Sequence, residues 1–277
     1  MNHRTQSTAV QERGEELVVF TFTLGETAYA VPLHEILAVN SMPDQWMRMP
    51  TGSCDTVKVI EYRGRPTEMI DFAAYLGVRS SSEAKLEIAE LLEQRERDHV
   101  LWIEALEDSI KNGTPFTKAT NPHECAFGKW YDNYETKEEG FAELMAKFDA
   151  PHRRIHSLAE TLLGIAETDQ KRALAQLEVE RNTTLAEMRR LFASARQHLR
   201  RLARRVVLFL TVDGSTPALG LALDEINDVR RFYRSQLQDM DQVGATLEDR
   251  VGELFTGILV AENEESCVLL NTRMLLS

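Results

Sequence analysis

Val18-Val19-Phe20-Thr21-Phe22-Thr23 alternates β-branched and aromatic residues and runs into the turn signal Leu24-Gly25-Glu26. It predicts a β-strand, and residues 28–33 predict its hairpin partner. Far along the chain the pattern returns. Val19-Phe20-Thr21-Phe22-Thr23 aligns with Val207-Leu208-Phe209-Leu210-Thr211, and Leu33-His34-Glu35-Ile36 with Leu223-Asp224-Glu225-Ile226. A repeat on either side of a different texture predicts two similar β lobes split by an insertion. Residues 57–62 and 68–72 add a strand pair to the first lobe, joined across Arg63-Gly64-Arg65-Pro66.

The intervening texture is helical from about Ser82, where Ser80-Ser81-Ser82-Glu83 offers a capping start. It ends in a seam of Leu185, Met188, Phe192, Ala195, Leu199, Leu202 and Val206, spaced alternately by three and four. So short a heptad run predicts packing inside a local helical bundle rather than a coiled coil. The arginines beside it, Arg189, Arg190, Arg196, Arg200, Arg201, Arg204 and Arg205, predict a solvated helix face. Asp71 and Asp224-Glu225 read as exposed or turn-associated carboxylates.

With 277 residues and 43% hydrophobic side chains, the chain holds enough apolar mass for more than one core. A net charge of −12 argues against nucleic acid, whose binding relies on neutralising phosphates. Three cysteines are too few for a disulfide framework and point to a reducing compartment. Met1 to Val10 holds no apolar leader core, and no apolar run approaches the ~20 residues that span a bilayer. The expectation is a soluble, cytoplasmic protein with no direct membrane insertion.

In their order, Leu33-His34-Glu35-Ile36, Tyr62-Arg63-Gly64-Arg65, Ile70-Asp71-Phe72, Leu76-Gly77 and Leu223-Asp224-Glu225-Ile226 resemble the CheW-like domain. That resemblance implies two small β-barrels side by side and a partner surface for chemoreceptors and a CheA-type histidine kinase, with Arg63 as a contact. Lys58 and Glu68 depart from the family pattern, at positions that bear on that surface. The expected fold is α+β: a two-lobed β-barrel domain (15–79 and 204–277) interrupted by a helical bundle (83–203, core 86–167).

The insertion carries the chemistry. His152 and His156, at i and i+4, share one helical face, with Asp149 as N-cap and Pro151 in the first turn. With His99 and Cys125 they supply three imidazoles and a thiolate, a donor set suited to tetrahedral zinc. Arg153, not Glu, follows His152, so the helical metalloprotease pattern is absent and no catalytic residue is assigned. His123 stands two residues from Cys125, near the set, and His198 falls on the arginine-rich face.

His99-Val100-Leu101-Trp102, the segment Cys125-Ala126-Phe127-Gly128-Lys129-Trp130 and the paired-histidine helix resemble the chemoreceptor zinc-binding domain. This implies regulation of an attached signalling module by zinc or by oxidants such as hypochlorous acid. The combined expectation is a non-enzymatic chemosensory adaptor, with room for a homodimer through the insertion. The alternatives are a zinc-dependent enzyme, or a structural or buffering zinc protein without kinase coupling.

Overall fold

Turn chemistry places the first strands. Gly25, at φ +64, closes the hairpin of β1 (Glu16–Leu24) and β2 (Thr27–Pro32), with Leu24 opposite Thr27. Arg63 and Gly64, at φ 50 and 78, form the two-residue turn between β5 (Thr56–Tyr62) and β6 (Arg65–Asp71). Both central residues at positive φ are what a type I′ hairpin requires. Arg65 and Pro66, expected in the turn, therefore already belong to the strand.

The computed structural model describes residues 14–43, 45–50, 56–239, 252–261 and 264–276. The leader reading at Met1 to Val10 falls outside them. The chain divides into a β unit, Met1–Glu83 with Arg204–Ser277, and a helical unit, Ala84–Ala203.

The β unit holds two six-stranded sheets. Its remaining strands are β3 (Ile36–Ser41), β4 (Met47–Pro50), β7 (Val206–Leu210), β8 (Leu219–Leu223), β9 (Glu225–Tyr233), β10 (Leu237–Gln238), β11 (Phe255–Leu259) and β12 (Cys267–Leu270). One sheet runs β10-β11-β12-β2-β1-β9, the other β4-β5-β6-β8-β7-β3. Position by position, each strand of the first half has its counterpart six strands later, so the sequence repeat is also a topological repeat.

Among the described residues the closed barrels expected of the two lobes are not formed. The sheets are open: among the described residues no pairing joins the edge strands, and β10 and β4, at two and four residues, are too short to close a barrel. Nor does each half of the domain form its own sheet. After the turn at Leu33–Glu35, β3 leaves its hairpin and pairs with β7; after Asp224, β9 pairs with β1. The halves exchange strands, so neither completes a sheet alone.

β7 is apolar on both faces because both are covered. Leu208 and Leu210 join Phe22, Tyr29, Phe72 and Leu221 in a core shared by the two sheets, while Val207 and Phe209 pack with Ile60, Tyr62 and Met69.

The insertion begins and ends at a buried ionic cluster within the β unit. Asp224 Oδ2 accepts from Ser80 Oγ at 2.8 Å and from the Ser81 and Ser82 amides at 2.7 and 3.4 Å. Ser80 Oγ in turn accepts from the Glu83 amide, the capping start read in the sequence. Arg205 grips Asp71 with both terminal nitrogens, at 2.7 and 2.9 Å. Its Nε lies 2.8 Å from Asp224 Oδ1, an ion pair too oblique for a hydrogen bond. Asp71 caps α1 (Phe72–Tyr75) by accepting from Ala74 N–H. Burial pushes the Asp71 carboxyl up, but Arg205 outweighs it and holds the pKa below its ordinary value. Asp224 and Arg205 are thus not solvated, contrary to the sequence reading, because they pair across the chain.

The helical unit contains α2 (Ser81–Asn112, which begins in the β unit), α3 (Ala126–Tyr131), α4 (Glu139–Ala146), α5 (Asp149–Ala166), α6 (Gln170–Glu180) and α7 (Ala186–Leu202). A π-helical turn at Arg181–Leu185 joins α6 to α7. The seam residues Leu185 to Leu199 are buried in one core with Leu92, Ile103, Leu106, Phe127 and Leu162, which is the local bundle expected; Val206 already lies in β7. Arg189 and Arg196 converge on Glu96, and Arg196 is only 16% exposed. The arginine face is therefore partly satisfied by the acidic side of α2. A last helix, α8 (Thr272–Leu275), follows β12. No helix among the described residues is long and apolar enough to cross a membrane.

Candidate metal centre

Three elements bring four donors together. α2 carries His99, Cys125 caps the N-terminus of α3, and α5 carries His152 and His156 one turn apart. Their donor atoms all lie within 4.8 Å of one another, and Cys125 Sγ is 3.3 Å from His152 Nε2. The three histidines are buried and Cys125 is half-buried.

Local structure explains each placement. Cys125 Sγ accepts from Gly128 N–H at 3.1 Å, which orients the thiol at the helix start. A side chain at 128 would collide with the Pro122 carbonyl, so glycine alone lets the Pro122–Glu124 turn lie against α3. α5 starts at Asp149 itself, with Phe148 at the N-cap position and no side-chain cap. Asp149, expected as the cap, instead pairs with Arg153 at 2.9 Å. The centre is walled by Phe127, whose ring meets His99 and His152 edge-on, and by Phe192 and Trp102.

The hydrogen bonds fix which nitrogen faces inward. His99 Nδ1 lies 2.7 Å from Arg95 O, and His156 Nδ1 lies 3.0 Å from Ala119 O. Since carbonyls only accept, both Nδ1 atoms carry the proton and both Nε2 atoms present lone pairs. Those two Nε2 atoms are buried with no hydrogen-bond partner. A buried acceptor without a partner costs about 1–3 kcal/mol, so the arrangement makes sense as a cation site.

Electrostatics agree. Burial, then the charges of His99 and His156, lowers the His152 pKa to about 3; burial, then His99, lowers that of His156 to about 4. Burial also lowers His99 and raises the Cys125 thiol. All three imidazoles are therefore neutral at pH 7, as ligands must be, and a cation would supply the positive charge that a Cys125 thiolate lacks. Three nitrogens and one sulfur are a donor set that fits zinc, and four such ligands would leave a bound ion no open position.

The other candidates lie apart. His123 is exposed and paired with Asp132 at 2.8 Å. His198 is not on a solvated face: it packs on Phe141 and bonds Glu138 at 2.8 Å. Arg63 projects from the β5–β6 turn with its guanidinium 5.3 Å from the Tyr62 ring, and Lys58 stands 5.8 Å from the Trp46 ring. Glu68 lies exposed in β6 opposite Val59. Sequence reading missed the Asp71–Arg205–Asp224 cluster and the Ala119 carbonyl. Both are long-range or main-chain features without a residue signature, although Trp102, three residues after His99, marked the neighbourhood.

Residues 18–112 match the model of the CheW-like domain, and residues 99–163 that of the chemoreceptor zinc-binding domain. Both resemblances read in the sequence are thus shown. No curated protein matches the chain. Among solved structures, the scaffolding protein TtCheW from Thermoanaerobacter tengcongensis is similar over 93% of this chain and 90% of its own, at 9% identity and a TM-score of 0.39.

Proposed function

We propose that this protein is a cytoplasmic chemosensory adaptor that couples chemoreceptors to a CheA-type histidine kinase. In this reading its helical unit holds one zinc ion through His99, Cys125, His152 and His156. The CheW-like match supports the adaptor role, since such domains are scaffolds and not enzymes. The observation that carries the zinc reading is the convergence of four donors with two buried, partnerless Nε2 atoms.

A half-buried thiolate among zinc ligands is the group through which an oxidant or metal depletion would act, because the sulfur binds zinc only when deprotonated and reduced. Such a structural site is worth on the order of 10 kcal/mol in peptides, more than a switch of a few kcal/mol needs. α2 runs without a break from Ser81 through His99, giving covalent continuity from the β scaffold to the ligand set.

The test is zinc analysis of the purified chain together with capture of the kinase and receptor, with and without chelator. Near-stoichiometric zinc is expected, lost in Cys125→Ser and His152→Ala, and partner capture should change when zinc is removed. Full zinc retention in both variants would defeat the site; capture unchanged by the chelator would defeat regulation. Capture of neither partner would leave a zinc protein without kinase coupling.

A further inference from the structure

Ala119 lies between α2 and the Pro122–Glu124 turn, in a stretch without repeating backbone hydrogen bonds. Among the described residues no main-chain hydrogen bond holds its carbonyl. Two side chains do. Trp102 Nε1–H donates to Ala119 O at 2.7 Å, and His156 Nδ1 meets the same oxygen at 3.0 Å. A carbonyl oxygen has two lone pairs and accepts both.

Trp102 is suited to hold that oxygen still. It is 5% exposed and sits three residues beyond His99 on α2, so its indole is anchored to the helix that carries a ligand. Its ring lies edge-on to His156, with centroids 5.3 Å apart, and packs on Phe116 at 5.0 Å. Trp102 and Ala119 also border a cavity of about 220 Å³ whose wall includes His99, Cys125 and His156.

We propose that Trp102 is a positioning residue of the metal centre: through the Ala119 carbonyl, its indole N–H sets the tautomer and ring direction of His156 and thereby the affinity for zinc. The inference rests on the zinc reading above. Without a fixed acceptor, the His156 proton is free to move to Nε2, and an imidazole protonated there has no lone pair to offer the cation. Removing such outer hydrogen bonds commonly lowers metal affinity 10–100-fold.

The experiment uses the full chain and zinc competition against a chromophoric chelator, with thermal unfolding in excess EDTA as a second readout. Trp102→Phe keeps an aromatic ring and removes the N–H; Phe116→Leu disturbs the packing on Trp102 but leaves the carbonyl bonds; Cys125→Ser removes a ligand. Trp102→Phe should weaken zinc about 10–100-fold, while its melting in EDTA moves no more than that of Phe116→Leu, which keeps wild-type affinity. Affinity within twofold of wild type in Trp102→Phe, or an equal loss in Phe116→Leu, overturns the proposal. A measurement on the unsubstituted protein covers the case in which Trp102→Phe fails to fold. Nitrogen-15 spectra of the zinc-free chain should show His156 protonated on Nδ1, and protonation on Nε2 refutes the idea. Full zinc retention in both Cys125→Ser and His152→Ala would sink the site itself; zinc lost there but held normally by Trp102→Phe sinks only this inference.

Discussion

Arg205→Met asks how much the buried ionic cluster contributes. One guanidinium serves two carboxylates, and the Arg205, Asp71 and Asp224 side chains are 14%, 13% and 1% exposed. Removing one partner of a buried pair costs about 3–5 kcal/mol, because the remaining charge is left uncompensated. Here the loss is tempered. Asp224 Oδ2 keeps its bonds from Ser80, Ser81 and Ser82, and Asp71 keeps that from Ala74. The expected destabilisation of the β unit is about 4 kcal/mol, which at ~2–4 °C per kcal/mol lowers its melting temperature by roughly 8–16 °C. Calorimetry separates the two units, since zinc chelation should move only the helical transition.

Adding Asp224→Asn to Arg205→Met removes one of the two stranded charges and should recover part of the loss. Acid should mimic the substitution. The folded pKa of Asp71 lies below its ordinary 3.8, so its contribution is present above that value and disappears as the pH falls through the lower folded one. A β-unit melting temperature within 2 °C of wild type in Arg205→Met, or no recovery in the double variant, would refute the reasoning.

Two further outcomes are expected. Gly128→Ala drives a methyl group into the Pro122 carbonyl, which backbone cannot easily yield; it should cost about 1–3 kcal/mol of helical-unit stability and weaken zinc by displacing Cys125, and unchanged zinc affinity would show that the turn adapts freely. Arg63→Glu reverses a charge on an exposed turn and should change stability by no more than about 0.5 kcal/mol while weakening capture of the kinase or receptor at constant zinc content; undiminished binding to both removes Arg63 from the partner surface.

The strands and helices that build the molecule were legible because each is specified within a short window. Alternation marks β1, a continuous apolar run marks β7, glycines mark two hairpins, and three–four spacing marks the inner face of α7. The four clustered candidate ligands were legible for a related reason: their residue types are rare and His152 and His156 share a helical face by spacing alone. Which strand pairs with which was not. The crossing of β3 to β7 and of β9 to β1 joins segments far apart in the chain, and alternation is equally satisfied by a strand that stays with its own hairpin.

The same holds for Asp71, Ser80, Arg205 and Asp224, each an ordinary surface residue by type. They become a buried cluster only because folding brings positions 134 and 144 residues apart into hydrogen-bond range. Local conformation and donor chemistry follow from neighbours a few residues away and so can be read along the chain. Sheet membership, the ionic cluster and the inward-facing Nε2 atoms of His99 and His156 arise on folding, because burial and partner choice come from contacts between distant segments.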